Sequence, residues 1–470
     1  MSGALTHTAD VVVVGSGPGG AAVARQLARG GRRVLVLERG RDWRGHPLYG
    51  TYPGALLYAD RRALLFTDEG LNVVRPLMVG GATSMYCGCS APPPAWLEGR
   101  WGVDLGAHVA RIAAELEVAP LAPELRGAAS TRLAEAGRAL GMPWEPQDKF
   151  MRPARAQRFR CGAHCMLGCR CGAKWNAAEW VDDARAAGAE LWTRAHVQRV
   201  VVQDGVARGV VGRRAGRPFR VHAEQVVVAA GGIGSALLLR RSGFEEAGRG
   251  MAMDTTLMVY GDSAADGMGG DPPMTWSAPD DDLGVLYSTL IDPWLMYPIM
   301  LALKRPAAAL GWHRWGRTLG VMIKVRDEVS GEVRPDGGLA KGLTSGERTR
   351  LEAAEEQARR ILLEAGCRKD TLISTPLRGT HPSATARLGT LVDTDLATRV
   401  PGLHVCDASV FPEALGRPTV LTILAFGERL AEHLLRAGAP QSSTDTPAPK
   451  NQCVKSATAG AKTTAEFGRN

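Results

Sequence analysis

The stretch ADVVVVGSGPGGAAVARQLARGGRRVLVLERG, from Ala9 to Gly40, constrains this chain more than any other. It reads as a buried strand, a glycine turn, a helix and a second strand that ends at Glu38. Each glycine has its own task in such a unit: Gly15 permits the tight turn, Gly17 lets the backbone approach a pyrophosphate, and Gly20 allows the helix to pack closely on the strand. The helix N-terminus leaves free N–H groups for an anion, and Glu38 is placed to accept hydrogen bonds from ribose hydroxyls. Three glycines alone could be a turn with no ligand. With the strand, the helix and the acid in sequence, they predict a dinucleotide site on a parallel sheet.

The rest of the composition suits a globular protein. At 470 residues the chain is long enough for two or three domains, and 45% hydrophobic residues can fill a sizeable core. Its 57 Lys and Arg against 48 Asp and Glu leave a formal charge of +9. No long basic run interleaved with aromatic residues accompanies that charge, so nucleic acid is not an expected partner. The first ten residues, MSGALTHTAD, have neither a cationic start nor an apolar core, and a cytoplasmic location is expected. In that compartment nine cysteines favour thiols or metal ligands over structural disulfides.

Further along, ELWTRAHVQRVVVQDG, VARGVVGRR and FRVHAEQVVVAAG predict a β meander that returns into the first sheet. Apolar residues at helical spacing predict a structural helix within Leu343 to Gly366. After Pro440 the composition turns to Ser, Thr, Pro, Ala and Lys, and residues 441–470 read as a disordered tail. No internal repeat is evident. No run of about twenty apolar residues is present to span a membrane. The nearest case, Leu290 to Trp315, is rich in Trp, Met and Leu but is broken by Asp292, Pro293, Pro298 and Pro306, with Lys304, Arg305 and Arg314 nearby. It reads as an ordinary core segment or as a lobe in peripheral contact with a membrane.

Five separated segments occur here in the order seen in glucose-methanol-choline (GMC) oxidoreductases, and the chain resembles that family over most of its length. They are VVVVGSGPGG with VLVLERG, RPLMVGGATSMYCG, CMLGCRCGAK, VVVAAGGIGSALLLRRSG, and GTHPSATARLG with VPGLHVCDASVFPEALGRPTVLTILAFGERLAEHLL. The resemblance implies an α/β protein: a Rossmann-like FAD-binding domain from residues 1–100, 160–245 and 371–440, with an inserted α+β substrate domain from 101–159 and 246–370. The segment carrying Gly80, Gly81 and Ser84 would pass the flavin, where small residues let backbone amides come close. Asp407 would bond the ribityl or pyrophosphate side, or serve as a plain turn or cap residue. The last helix, starting beside Pro418 and Thr419, would face the reduced flavin with its N-terminus.

His381, in GTHPSATARLG, matches the family's active-site histidine, a group suited to taking a hydroxyl proton while flavin N5 receives hydride. The family's second catalytic position is Asn or His before Pro, whereas this chain has Arg417. A permanent cation there could hold a carboxylate, stabilise an alkoxide or enolate and lower the pKa of His381, an arrangement similar to that of formate-oxidising members. Alternatively Arg417 turns away to pair with an acid such as Glu413.

Within CGAHCMLGCRCGAK four cysteines fall in eleven positions: Cys161, Cys165, Cys169 and Cys171. Gly162, Gly168 and Gly172 argue against a regular helix and for a loop whose thiols can converge. The loop resembles one in the family's long-chain alcohol oxidases and, with different spacing, a cluster-binding loop in bacterial flavin sugar dehydrogenases. Four thiolates would suit an iron–sulfur cluster or zinc, a redox dithiol is a further reading, and a bare loop needs no ligand.

The expected function is therefore hydride transfer from a hydroxyl-bearing carbon of a lipophilic small molecule to FAD, with the electron acceptor unknown. Two alternatives stand beside it. One is a flavoenzyme acting on an organic anion, or as a reductase, with Arg417 as anchor. The other is a flavin and iron–sulfur electron-transfer subunit.

Overall fold

The computed structural model describes residues 4–155, 159, 161–162 and 164–437, and the expected tail at 441–470 lies outside them. The opening unit folds as read, with β1 (Leu5–Val14), α1 (Pro18–Arg29) and β2 (Val34–Leu37) in succession. Both strands are buried where they pair in parallel, Val11 to Val14 against Val34 to Leu37. The strands Glu190–Trp192 and Arg217–Val228 extend this parallel sheet on its two sides, and Leu403–Val405 pairs in parallel with the end of the latter. The expected meander is present: Ala195–Gln203, Val206–Arg214 and Arg217–Val228 pair in antiparallel order.

One helix layer closes over this sheet. α1 crosses the final helix, Val420–Ala437, so closely that a Cβ on Gly427 would stand 2.6 Å from the Ala22 Cβ. Glycine at that crossing is a packing requirement. Inside the final helix Glu428 is fully buried, and it accepts hydrogen bonds from Gln26 Nε2 at 2.8 Å and from Arg111 Nη2 at 2.8 Å.

A second, largely antiparallel sheet of nine strands is centred on Thr255–Asp262, Thr318–Val325, Val285–Thr289 and Trp276–Asp280. It has a hydrophobic core of its own, including Tyr260, Tyr287, Ile323 and Trp144. The helix Ser345–Glu364 packs its Leu351, Ala354, Ala358 and Ile361 into that core. It starts at a Thr344 and Glu347 capping box, which satisfies two orphan backbone donors reciprocally.

The chain does not divide at the expected boundaries. Val103, Leu105, Ile112 and Leu116, assigned above to the inserted domain, belong to the core of the first sheet, where the helix Gly106–Glu115 packs on the final helix. Conversely, the short strands Leu65–Phe66, Asn72–Val73 and Arg378–Gly379 join the second sheet. Segments taken from sequence order alone cannot show which core an amphipathic face enters.

Gly19 and Gly17 separate two demands on the fingerprint. A Cβ on Gly19 would lie 1.9 Å from the Cys406 carbonyl oxygen, while one on Gly17 meets nothing within 4 Å. Gly19→Ala should therefore destabilise the apoprotein by roughly 1–3 kcal/mol through overpacking. Gly17→Ser, at the N-cap position where Ser is favoured, should leave it unchanged or slightly steadier. Thermal unfolding of flavin-free protein checks both.

Candidate active site

The turn after β1 builds a phosphate-sized cradle. Gly15 sits at φ +110°, a conformation that favours glycine, and a Cβ there would strike the Ala229 carbonyl oxygen at 2.2 Å. A Cβ on Gly20 would strike the Gly15 carbonyl oxygen at 2.1 Å. These two glycines serve the polypeptide itself. Gly17 does not: its φ of −69° suits any residue, and its missing side chain leaves space clear of protein in front of α1. No side chain caps α1 there, so its first N–H groups remain available to an anion.

Glu38 ends β2, buried, and accepts from Ser16 Oγ at 2.6 Å, Ser16 N at 3.2 Å and Gly40 N at 2.7 Å. Burial pushes its carboxyl above the ordinary range, and these donors oppose that shift. The segment after Val79 lies over the same turn: Gly80 N donates to Ser16 Oγ at 3.3 Å, and a Cβ on Gly81 would stand 3.0 Å from Gly17 Cα. Ser84 is buried with its hydroxyl donated to the Val79 carbonyl at 3.2 Å, so its role there is to shape the turn. Asp407 caps residues 408–410 and takes three internal donors: Ser409 N at 2.8 Å, Gly231 N at 2.7 Å and Ser235 Oγ at 2.5 Å. It ties the helix Gly231–Arg241 to the first sheet. Pro418 and Thr419 directly precede the final helix, as expected. The free N–H groups, the open space at Gly17 and the buried acid at the end of β2 fit a dinucleotide such as FAD.

His381 stands at the junction of the two sheets. Its Nδ1 lies 2.8 Å from Asp254 Oδ2, while Asp254 Oδ1 accepts from Gly416 N at 2.9 Å. One carboxylate, 1% exposed, thus fixes both the imidazole and the peptide that leads into Arg417. The backbone at Asp254 is left-handed, φ +49°, and Asp327 holds that turn by accepting from Met253 N at 2.9 Å and Asp254 N at 3.1 Å. Burial pushes Asp327 up to about 6, opposed by Lys341 at 3.4 Å. Buried Lys324 donates to Thr380 Oγ1 at 3.0 Å, and that hydroxyl donates to the Asp254 carbonyl at 2.8 Å. Burial, helped by the Lys324 charge, holds His381 below the ordinary imidazole value, while Asp254 works the other way.

Sequence reading missed Asp254, Lys324 and Asp327. Their only signal is an isolated ionisable residue at the start or end of an apolar strand, as in MAMDTTLMV and GVMIKVRD.

Arg417 does not pair with Glu413, which binds Arg100 at 2.7 Å and Arg326 at 2.6 Å. Among the described residues no hydrogen bond or ion pair holds the Arg417 guanidinium, which is half-buried.

The four-thiol ligand set is not assembled. Cys161 and Cys165 form one pair, Sγ to Sγ 3.6 Å, and Cys169 and Cys171 another at 3.6 Å, and no group of three or more metal ligands occurs among the described residues. Gly162, Gly168 and Gly172, all at positive φ, turn the loop so that its sulfurs pair locally. The residues as arranged do not fit a cluster. Between the pairs lies Lys174, buried, with its ammonium donated to the carbonyls of Ser84, Tyr86 and Cys165 at 3.0, 2.7 and 2.8 Å.

A nucleotide cradle and a buried histidine–aspartate pair are the parts of a dinucleotide-binding enzyme. The comparisons specify it further: the N- and C-terminal models of the GMC oxidoreductases match residues 57–256 and 338–427, and a Rossmann-like NAD(P)-binding model matches 13–77. An uncharacterized GMC-type oxidoreductase of Mycobacterium tuberculosis is 30% identical over 90% of this chain and 75% of its own length. A long-chain-alcohol oxidase of Arabidopsis thaliana is 27% identical over 88% of this chain and 65% of its own. Among solved structures, pyridoxine 4-oxidase from Mesorbium loti superposes with a TM-score of 0.69 at 17% identity, over 90% of this chain and 99% of its own. Formate oxidase from Aspergillus oryzae does so with a TM-score of 0.66 at 15% identity, over 93% and 99%. The chain belongs to the GMC oxidoreductase family and is an FAD-dependent oxidoreductase.

The thiol pairs give a test separate from catalysis. The Cys171 S–H donated to Cys169, with the Lys174 backbone N–H at 3.5 Å and the Lys174 charge, pulls the Cys169 thiol down to about 5 against burial, while Cys171 is raised. Alkylation by iodoacetamide, mapped by mass spectrometry, should modify Cys169 before Cys171, at a rate that is flat above pH 6 and falls below about 5.

Proposed function

We propose that this flavoenzyme oxidises a C–H bond beside a hydroxyl on a lipophilic small molecule, with His381 as the base. The observation that carries the reading is the Asp254 carboxylate shared between His381 Nδ1 and Gly416 N. Because a carboxylate can only accept there, Nδ1 carries the proton and Nε2 keeps its lone pair. A pKa held low keeps that imidazole neutral at physiological pH, ready to take the substrate hydroxyl proton at Nε2. As the ring becomes cationic, Asp254 stabilises it from behind. FAD, when bound, supplies the two-electron acceptor for the hydride. Its diphosphate would lie at Gly17 and the N-terminus of α1, its ribose at Glu38, and Gly80 and Gly81 would cover the same turn. The first sheet would carry the cofactor and the second sheet the substrate. The similarity to a long-chain-alcohol oxidase supports an alcohol substrate.

A second reading rests on Arg417. A half-buried guanidinium with no partner among the described residues can receive a substrate carboxylate as well as a developing alkoxide. The formate oxidase neighbour supports this version, in which the substrate is an organic anion.

Two variants separate these roles in rapid-mixing measurements of flavin reduction, and a third, read by flavin content, tests the cradle. His381→Ala should slow reduction by roughly 10²-fold or more with flavin content unchanged. Arg417→Asn should weaken a carboxylate-bearing substrate and spare a neutral alcohol; equal rates with both would make Arg417 a bystander. Gly17→Val should leave folded protein without flavin, because its side chain fills the space the diphosphate needs.

The pH dependence tests Asp254. The rate should be flat above neutrality and fall only below the ordinary imidazole value near 6.5. Removing the carboxylate in Asp254→Asn takes away the one nearby group that raises the His381 pKa, so the acid limb should move lower while the plateau drops by roughly tenfold or more. A lower plateau with an unmoved limb would leave Asp254 a purely structural residue.

A further inference from the structure

The segment Leu290 to Trp315 enters the core only in part: Leu290, Ile291, Tyr297 and Leu301 join the core of the second sheet. Its helix Met296–Lys304 and the turns of Pro306–Arg317 bury Tyr297, Met300 and Leu301 but turn other apolar side chains outward. Leu303 is 64% exposed, Leu310 76% and Trp312 51%, with Trp294, Leu295 and Ile299 beside them in the same lobe. Trp294 and Trp312 meet edge to face at 6.1 Å while both remain exposed. Single exposed apolar residues need no explanation, but six in one short lobe do.

The lobe is firmly seated, so its exposure is built in. At its base buried Asp292 makes a bidentate pair with Arg378, at 2.7 and 2.6 Å, and accepts from Tyr260 Oη at 2.7 Å. Trp315 Nε1 donates to the Asp292 carbonyl at 2.8 Å, and Leu295 N donates to Tyr52 Oη at 3.0 Å.

Charge decides what such a surface can meet. From Pro293 to Arg317 the sequence contains no Asp or Glu, and it carries Lys304, Arg305, Arg314 and Arg317. Arg314 pairs with Asp262 at 3.1 Å, whereas exposed Lys304 and Arg305 have no ion pair among the described residues. A second copy of the chain facing this lobe would bring cations against cations. An anionic bilayer surface offers the complement: phosphates for the cations, and an interfacial layer for Trp and Leu. We propose that the lobe Trp294 to Arg317 docks this enzyme onto anionic lipid membranes. The Arg378 that anchors the lobe lies three residues before His381, so a docked lobe would set the site beside the phase that holds a lipophilic substrate; that last link rests on the function proposed above, the docking itself does not.

Co-sedimentation of the full-length holoenzyme with vesicles tests docking without reference to turnover. Vesicles of phosphatidylcholine with about 30% phosphatidylglycerol should bind the enzyme in about 0.1 M salt, and pure phosphatidylcholine vesicles should bind it far less. Leu303→Asp with Leu310→Asp, and separately Lys304→Glu with Arg305→Glu, should each cut binding by roughly tenfold or more. Leu363→Asp, at an exposed leucine outside the lobe, should bind as the wild type. Retained flavin absorbance shows that each variant is folded. Wild-type protein left in the supernatant, or lobe variants that bind unchanged, would overturn the proposal. So would a lobe-dependent dimer in sedimentation velocity without vesicles, which would make a second copy the occupant.

Discussion

The candidate active site depends on the buried Asp254 carboxylate. A buried carboxylate without partners costs several kcal/mol, and here both oxygens are engaged, one by His381 Nδ1 and the other by Gly416 N. Those two partners come from segments 127 and 162 residues away in sequence. The chain must therefore complete both sheets before the site exists. Lys324 and Thr380 add a second path to the same turn through the Asp254 carbonyl, and Asp327 holds the turn's own N–H groups. Such networks are worth more together than singly, so removing any member should loosen the others.

The fingerprint glycines were legible because the motif sets them at fixed spacing between a strand and a helix, although only Gly20 is demanded by backbone within the motif itself. Gly15 and Gly20 are excluded from bearing a Cβ by carbonyl oxygens of nearby backbone, and Gly17 is conspicuous because nothing in the protein excludes one. The parallel pairing of β1 with β2 follows from the same stretch, since apolar runs joined by a helix can pair no other way with ease. His381 was legible only through its motif, as nothing in GTHPSATARLG announces a carboxylate partner. Asp254 was not legible at all. Its partners are set by tertiary packing, and in sequence it looks like an acid at the edge of a strand.

The boundary between the two cores shows the same limit. The helix Gly106–Glu115 has an ordinary amphipathic pattern, and only the position of the final helix decides that Ile112 packs with the first sheet. The Leu343 to Gly366 helix, by contrast, was readable over nearly its whole length, and its start is fixed by the Thr344 and Glu347 capping box. Local hydrogen bonds mark an element's ends, but not its neighbours.

The cysteine loop has a physical explanation that requires no metal. Lys174 and Lys149 are both buried, at 2% and 0% exposure, and neither has a carboxylate within salt-bridge reach among the described residues. Burial pushes the Lys174 ammonium toward its neutral form, and Cys165 and Cys169 oppose that shift. Lys149 is raised against burial by Cys89 first, whose sulfur lies 3.2 Å from its ammonium, then by Cys87 and Cys165. Cys165 and Cys169 are lowered in turn, each first by the S–H of its paired cysteine and then, against burial, with help from Lys174. Cys165 and Cys169 thus act as soft counter-charges for Lys174, whereas Cys89 and Cys87 beside Lys149 are themselves pushed up by burial and stay protonated. Lys174 spends its donors on the carbonyls of Ser84 and Tyr86, at the end of the segment that covers the nucleotide turn. Of the readings open for the loop, none needs a cofactor here: one ammonium wires it into the backbone beside the nucleotide turn, so oxidising or alkylating Cys165 and Cys169 would take away charge that favours that ammonium.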